Sequence, residues 1–269
     1  MTFHHAKWVY TVTIVLSAFA IIGIFRLKSE GFIVDDLPKT DKIYTDLKWF
    51  EQNFGGVMPL EILVDTKKKN GLLRTTGPIS RINELSEYIG AGPDAARPLS
   101  FAEGLKFAKQ AYYDGDILSY DIPYEGDLAF MGPYLRQKSD STNATGVAKI
   151  ISSFMDSSKQ VARISVNMKD VGSVQLPLLI ADYEKKAREI FDTASYKVTF
   201  TGSSITFLEG SSFIIKGLKE SIFWAFLLIT LCMLYLFRSV RILICSLIPN
   251  LIPLLITAGV MGWTGIALK

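Results

Sequence analysis

The sequence predicts an α-helical transmembrane protein with an α+β extracytoplasmic domain, and three observations carry that prediction. Charge is segregated: all 26 acidic residues lie between Arg26 and Glu220, and of the 29 basic residues only Lys7, Arg238, Arg241 and Lys269 fall outside that stretch. Three uncharged apolar runs flank it, Trp8–Phe25, Ser221–Phe237 and Ile242–Leu268. The charged stretch itself mixes strand-like alternation with helical periodicity. The net charge of +3 and the pI near 8.7 thus arise on the apolar flanks and do not report a basic domain, which removes the main support for a nucleic-acid partner. With a mean hydropathy of +0.27, a soluble cytosolic enzyme is excluded as well.

Residues 1–7 read as a cytoplasmic tail. His4 and His5 have no third ligand nearby and make a poor metal site. At ~1.5 Å per residue, 8–25 covers most of a ~30 Å hydrocarbon core. A signal peptide would end in a small-residue cleavage site. This run instead enters Phe25-Arg26-Leu27-Lys28 directly, as an uncleaved anchor does. The second and third spans are 221–237 and 242–268, joined by a cytoplasmic loop at 238–241. Arg238 and Arg241 in so short a loop set the topology, because that is where the positive-inside rule applies. They place 26–220 outside the cytoplasm. In the third span Pro249 and Pro253 lie on one face and predict a kink, with Asn250 between them as a hydrogen-bonding group for a neighbouring helix or a freed carbonyl. Ala258 and Gly262 form a small-xxx-small pair, with Gly259 and Gly265 nearby, so helix packing is expected here.

Within 26–220, Pro59–Asp65, Val161–Met168 and Tyr196–Thr201 read as strands, and Val147–Met155 as a partner to the second of these. Ile79, Ile82, Leu85 and Ile89 keep helical spacing, with Gly90 expected at the left-handed C-terminal position. Leu176, Leu179, Ile180, Tyr183, Ala187 and Ile190 mark a second helix, with Pro177 in its first turn. Residues 91–146 read as an irregular middle. The result is an α+β sandwich with helices on one face of a small sheet. Cys232 and Cys245 both lie in apolar runs, so no disulfide supports this domain.

Chemical motifs are sparse. Asp114, Asp116 and Glu125 mimic a calcium loop, but Leu118, Ser119 and Pro123 break the pattern where its geometry is strictest. A solvated loop, with Tyr112, Tyr113, Tyr120 and Tyr124 packing on the domain or a partner, fits better. Both histidines sit in the tail, so no Ser-His-Asp or Cys-His arrangement can form in the domain. No phosphate-binding glycine motif is present, and Asn143-Ala144-Thr145 is a sequon of a common kind. We expect no catalytic, cofactor-binding or metal site. The three apolar runs carry no Asp, Glu, His, Lys or Arg, so they cannot by themselves move a coupling ion.

The order of parts resembles half of a resistance-nodulation-division (RND) superfamily transporter. Leu236-Phe237-Arg238-Ser239-Val240-Arg241, Pro249-Asn250-Leu251-Ile252-Pro253 and Gly259-Val260-Met261-Gly262-Trp263-Thr264-Gly265-Ile266 are similar to the second-to-third helix region of the MMPL and Patched-like branch. Thr201-Gly202 with Phe207-Leu208-Glu209-Gly210 resembles that branch's junction between porter domain and second helix. The resemblance implies a porter-like exterior domain and export of lipid-like or hydrophobic molecules across a bacterial inner membrane. The implied partners are membrane lipids, the substrate, the remaining helices and second half of the transporter, and a homo-oligomer. In that family the coupling carboxylates lie on a fourth helix, so this chain is expected to be the N-terminal portion of the first half. The alternatives are an accessory membrane protein without a transport cycle, an ABC-exporter subunit of the FtsX or MacB type, and a SecD/SecF-like export role. A sensory receptor is disfavoured, because only four residues separate the last two spans.

Overall fold

The computed structural model describes residues 6–27, 31–32, 37–128 and 153–266. His4, His5, the 137–146 stretch with its sequon, most of the 147–155 strand and Lys269 lie outside them. The described residues form two compact units, one containing the apolar helices and one the sheet.

The sheet unit begins with α2 (Lys42–Phe54), which the sequence reading lacked. Its ends carry ordinary signals. The Asp41 carboxylate accepts the Ile43 N–H at 2.8 Å, and Gly55 terminates the helix in the left-handed region at φ 76°. Then follow β1 (Met58–Asp65), α3 (Gly77–Gly90), β2 (Leu99–Ser100), α4 (Phe101–Tyr112), β3 (Val161–Met168), α5 (Gly172–Ile190) and β4 (Lys197–Thr201). The strands lie in the order β2-β3-β1-β4, every neighbour antiparallel. Each βαβ connection, β1-α3-β2 and β3-α5-β4, steps over one strand, which is the split β-α-β arrangement.

Period-two alternation decides which face is buried. Met58, Leu60, Ile62 and Val64 of β1 and Ala162, Ile164, Val166 and Met168 of β3 are buried on one side. They join the predicted stripes, Ile79, Ile82, Leu85 and Ile89 of α3 and Leu176, Ile180, Tyr183 and Ala187 of α5, in one core. Each fully buried side chain of this kind contributes about 1.5–3 kcal/mol by leaving water. The opposite face is polar: the Arg163 guanidinium donates twice to Glu61, at 2.7 and 2.9 Å, and Ser165 donates to the same carboxylate.

Four local expectations are corrected. The middle segment is not irregular throughout, because α4 buries Phe101, Ala102 and Leu105 in the core. Gly90 is the last helical residue, not a left-handed cap. Its small size matters because a Cβ there would stand 2.9 Å from Pro98 Cδ. The α5 helix begins at Gly172, so Pro177 lies inside it rather than in its first turn. Of the proposed 147–155 strand, the described end contributes only an isolated bridge from Met155 to Ala162.

The turn into β3 is organised by Asp156. Its carboxylate accepts the N–H groups of Ser158, Gln160 and Val161 at 3.2, 2.7 and 2.8 Å, and the Ser158 hydroxyl. Burial opposes the charge, but the hydroxyl and the three N–H donors outweigh it and hold the carboxyl below the usual aspartate range. A depressed carboxylate pKa stabilises the fold above the ordinary value near ~3.9, and that stability is lost as pH falls through the lower folded value. Asp156→Asn should therefore cost about 0.5–1 kcal/mol at neutral pH after solvent screening. Urea midpoints at neutral and acid pH check this, and the gap between variant and wild type should close in acid.

Candidate functional site

The site residues marked in the sequence belong to the helical unit, which contains α1 (Ala6–Ile24), the apolar part of α6 (Ser203–Phe237) and α7 (Val240–Thr264). All three are long and apolar enough to cross a membrane. Helix ends and apolar runs do not coincide at three places. The α6 helix starts at Ser203 and runs unbroken from just after β4 into the apolar run that begins at Ser221. The loop shrinks to Arg238 and Ser239, with Arg238 in the left-handed region at φ 45° and Arg241 in the first turn of α7. The third apolar run outlasts its helix, because Gly265 turns left-handed (φ 72°) and lets the Ile266 N–H reach back to the Met261 carbonyl at 3.0 Å.

The α1 and α7 helices pack directly on one another. Ala20 faces Gly259 and Gly23 faces Gly262, so the two helices run parallel. Ala20, Gly259 and Gly262 are buried. A Cβ on Gly262 would overlap the Gly23 carbonyl oxygen and lie 2.7 Å from its carbon; one on Gly259 would overlap the Ala20 backbone. Both obstacles are main-chain atoms, which no rotamer change can move. The small pair that meets α1 is therefore Gly259 and Gly262, whereas Ala258 is only half-buried.

Just beyond the glycines the seam is closed by Trp263. Its ring stacks on Phe19 with centroids 4.6 Å apart and planes 4° from parallel. The indole N–H donates to the Phe19 carbonyl at 3.1 Å, and the Arg26 guanidinium lies 4.5 Å from the ring centroid. Phe19, Ala20, Gly23 and Trp263 were not singled out from sequence. The signal was present, since Ala20 and Gly23 repeat the i, i+3 spacing of Gly259 and Gly262.

Pro249, Asn250 and Pro253 are not brought to this seam. All three are exposed, and α7 remains helical through both prolines. The Asn250 amide donates to the Ser246 carbonyl of its own helix at 3.2 Å, and Thr257 donates to Pro253 O at 2.8 Å. Among the described residues, Asn250 thus bonds the backbone of its own helix. Cys232 and Cys245 are free and exposed.

In the sheet unit, the acidic, tyrosine-rich stretch takes part in ion pairs and hydrogen bonds with α4. Lys106 and Lys109, both buried on α4, take Glu103 at 3.2 Å and Asp127 at 3.1 Å. The Tyr120 hydroxyl donates to Glu103 at 2.7 Å and Tyr113 to Asp127 at 3.1 Å. Arg97 also pairs with Glu103, at 2.6 Å. Burial opposes ionisation of Glu103, but Tyr120 and Lys106 together hold its carboxyl below the usual range. Asp116 is occupied by the Leu118 N–H and the Ser119 hydroxyl. Among the described residues no cluster of three His, Cys, Asp or Glu side chains is placed to hold a metal.

The chain matches no protein-family model, and no curated protein is significantly similar to it.

A branched side chain at Gly262 should separate the two helices and cost about 1–3 kcal/mol, the usual range for overpacking. Gly262→Ile should then lower the melting temperature of the detergent-solubilised protein by roughly 3–10 °C. Gly210→Ala is the control, because nothing lies within 4 Å of a Cβ there.

Proposed function

We propose that this chain is the N-terminal portion of an RND-type secondary exporter of the MMPL/Patched-like branch, acting on lipid-like or hydrophobic molecules at a bacterial inner membrane. The observation that carries the reading is the parallel, backbone-close pairing of α1 with α7. Two parallel spans require the helix between them, α6, to cross the other way. That supports one helix, a large domain on one side, and two helices joined by a tight turn on the other. The positive-inside rule then assigns Arg238 and Arg241 to the cytoplasm and residues 26–220 to the outside, where a porter-like domain would meet substrate.

The α6 helix suits such a role. At ~1.5 Å per residue its 35 residues span roughly 50 Å, well beyond a ~30 Å hydrocarbon core. Its first turns belong to the domain: the Ser204 hydroxyl donates to Pro59 O at 3.1 Å, and Ile205, Phe207 and Leu208 pack on the sheet core. In this reading ion coupling belongs to helices other than these three, since the apolar runs carry no ionisable side chain. The substrate, membrane lipids and the rest of the transporter are the partners.

Two measurements test the proposal. In a background with Cys232 and Cys245 replaced by alanine, Leu118→Cys should react with an impermeant maleimide on intact spheroplasts, and Ser239→Cys only after permeabilisation. The reverse pattern would overturn the topology. Cells carrying the intact native locus should retain less Nile red than a deletion strain, with the difference abolished by a proton ionophore. Equal retention would remove the exporter reading.

A further inference from the structure

Beside the edge strand β4 lies a groove of about 540 Å³, within the sheet unit and apart from the helix seam. One wall is Glu184, Ala187 and Arg188, on one face of α5, followed by Phe191 in extended backbone just past the end of that helix. The other wall is Lys197, Val198, Thr199 and Phe200, four consecutive residues of β4. Successive strand side chains point to opposite faces, so a groove lined by four in a row runs along the edge itself. Among the described residues that edge pairs with β1 alone, on its inner side. On the outer side alternate residues leave N–H and C=O groups facing the groove.

The groove is also electropositive. Lys67, Arg188 and Lys197 line it against one carboxylate, Glu184, which stands 3.4 Å from Arg188. The Lys67 ammonium donates to the carbonyls of Thr193 and Ala194, at 2.8 and 3.1 Å. Two further carboxylates stand beside the lining and temper this excess, Asp192 by its attraction to Lys67 and Asp65 opposite Lys197 on the neighbouring strand. Asp65 accepts from Gln160 and the Lys67 N–H, and Asp192 from the Ala194 N–H and the Ser195 hydroxyl. The floor is apolar: Phe191 and Ala187 are buried, and the Tyr196 ring meets Phe191 edge to face at 5.4 Å.

We propose that this groove binds an extended, acidic polypeptide segment, which adds a fifth strand to the sheet at β4. An extended backbone alone repeats the spacing of the edge donors and acceptors, and alternate side chains would enter the groove against Phe191 and Phe200. The surrounding cations select acidic residues on the incoming strand. They also disfavour a second copy of this chain, which would bring Lys197 against another positive edge. This inference stands on the groove and does not depend on the transport reading.

The test uses the full chain in nanodiscs and a fluorescein-labelled peptide of alternating glutamate and valine, followed by fluorescence polarisation. Saturable binding is expected. Arg188→Glu and Lys197→Glu, both at exposed positions, should each weaken it by about tenfold or more, the lower range of a close charge pair. The same peptide N-methylated at alternate residues, which cannot form ladder bonds, should not bind. Failure of the unmodified peptide to bind, or equal binding of the N-methylated one, would overturn the proposal. Full displacement by dodecyl phosphate would mark an amphiphile site instead. Self-association of the chain that disappears in Lys197→Glu would mark a second copy as the occupant.

Discussion

The Gly23 carbonyl occupies the space where a side chain at residue 262 would begin, and the organisation of the helical unit follows from that single approach. Apolar side chains gain little by leaving lipid for one another, so paired spans are held by close packing and by polar contacts between backbones. Small residues on both partners permit that closeness. Trp263 then fixes the register, because its stack on Phe19 and its hydrogen bond to the Phe19 carbonyl are satisfied in one alignment only. Given that alignment, α1 and α7 are parallel and the direction of α6 is constrained.

The elements legible in the sequence are those whose cause is local. The alternation in β1 and β3 and the stripes of α3 and α5 are periodic in the chain itself, and each stands within a residue or a few of its predicted place. The α2 and α4 helices were legible too, since Asp41 and Gly55 mark one and Phe101, Ala102 and Leu105 the other. In α4 the Gly and Pro residues around it, from Gly90 to Pro98, gave the segment the composition of a loop. Tertiary burial of an apolar stripe overrides that composition.

Within the site, the sequence located the small residues of α7 but not their partner. Helix packing pairs positions far apart in the chain, and an apolar run offers many small residues whose facing depends on the neighbour. Ala258–Gly262 has the small-xxx-small spacing and Gly259–Gly262 is one residue shorter, yet it is the second pair that meets Ala20 and Gly23. The prolines show the converse. Their composition draws attention, yet Asn250 and Thr257 satisfy carbonyls of the same helix and leave nothing directed at α1. The α6 helix outlasts its apolar run for a related reason. Lys216, Lys219 and Glu220 interrupt the apolar run without interrupting the helix, because charge ends a membrane span while helical hydrogen bonding continues past it.

Charge divides the sheet unit into two regimes. On α4 the buried lysines are matched by carboxylates that tyrosine hydroxyls hold in place, and the carboxylates offset the cost of removing each ammonium from water. Asp116, which looks like a ligand in the sequence, is spent on the Leu118 N–H and the Ser119 hydroxyl. Along β4 the balance is different, with lysine and arginine outnumbering the one carboxylate of the lining beside a strand edge that is unpaired among the described residues. Exposed edges are commonly guarded by lysine, and Lys197 alone would fit that explanation. Guarding does not require a concave wall, an aromatic floor or an aligned helical stripe, and β4 has all three. The cations and the open edge are therefore better explained together, as the two halves of a surface that recognises charge and backbone at once.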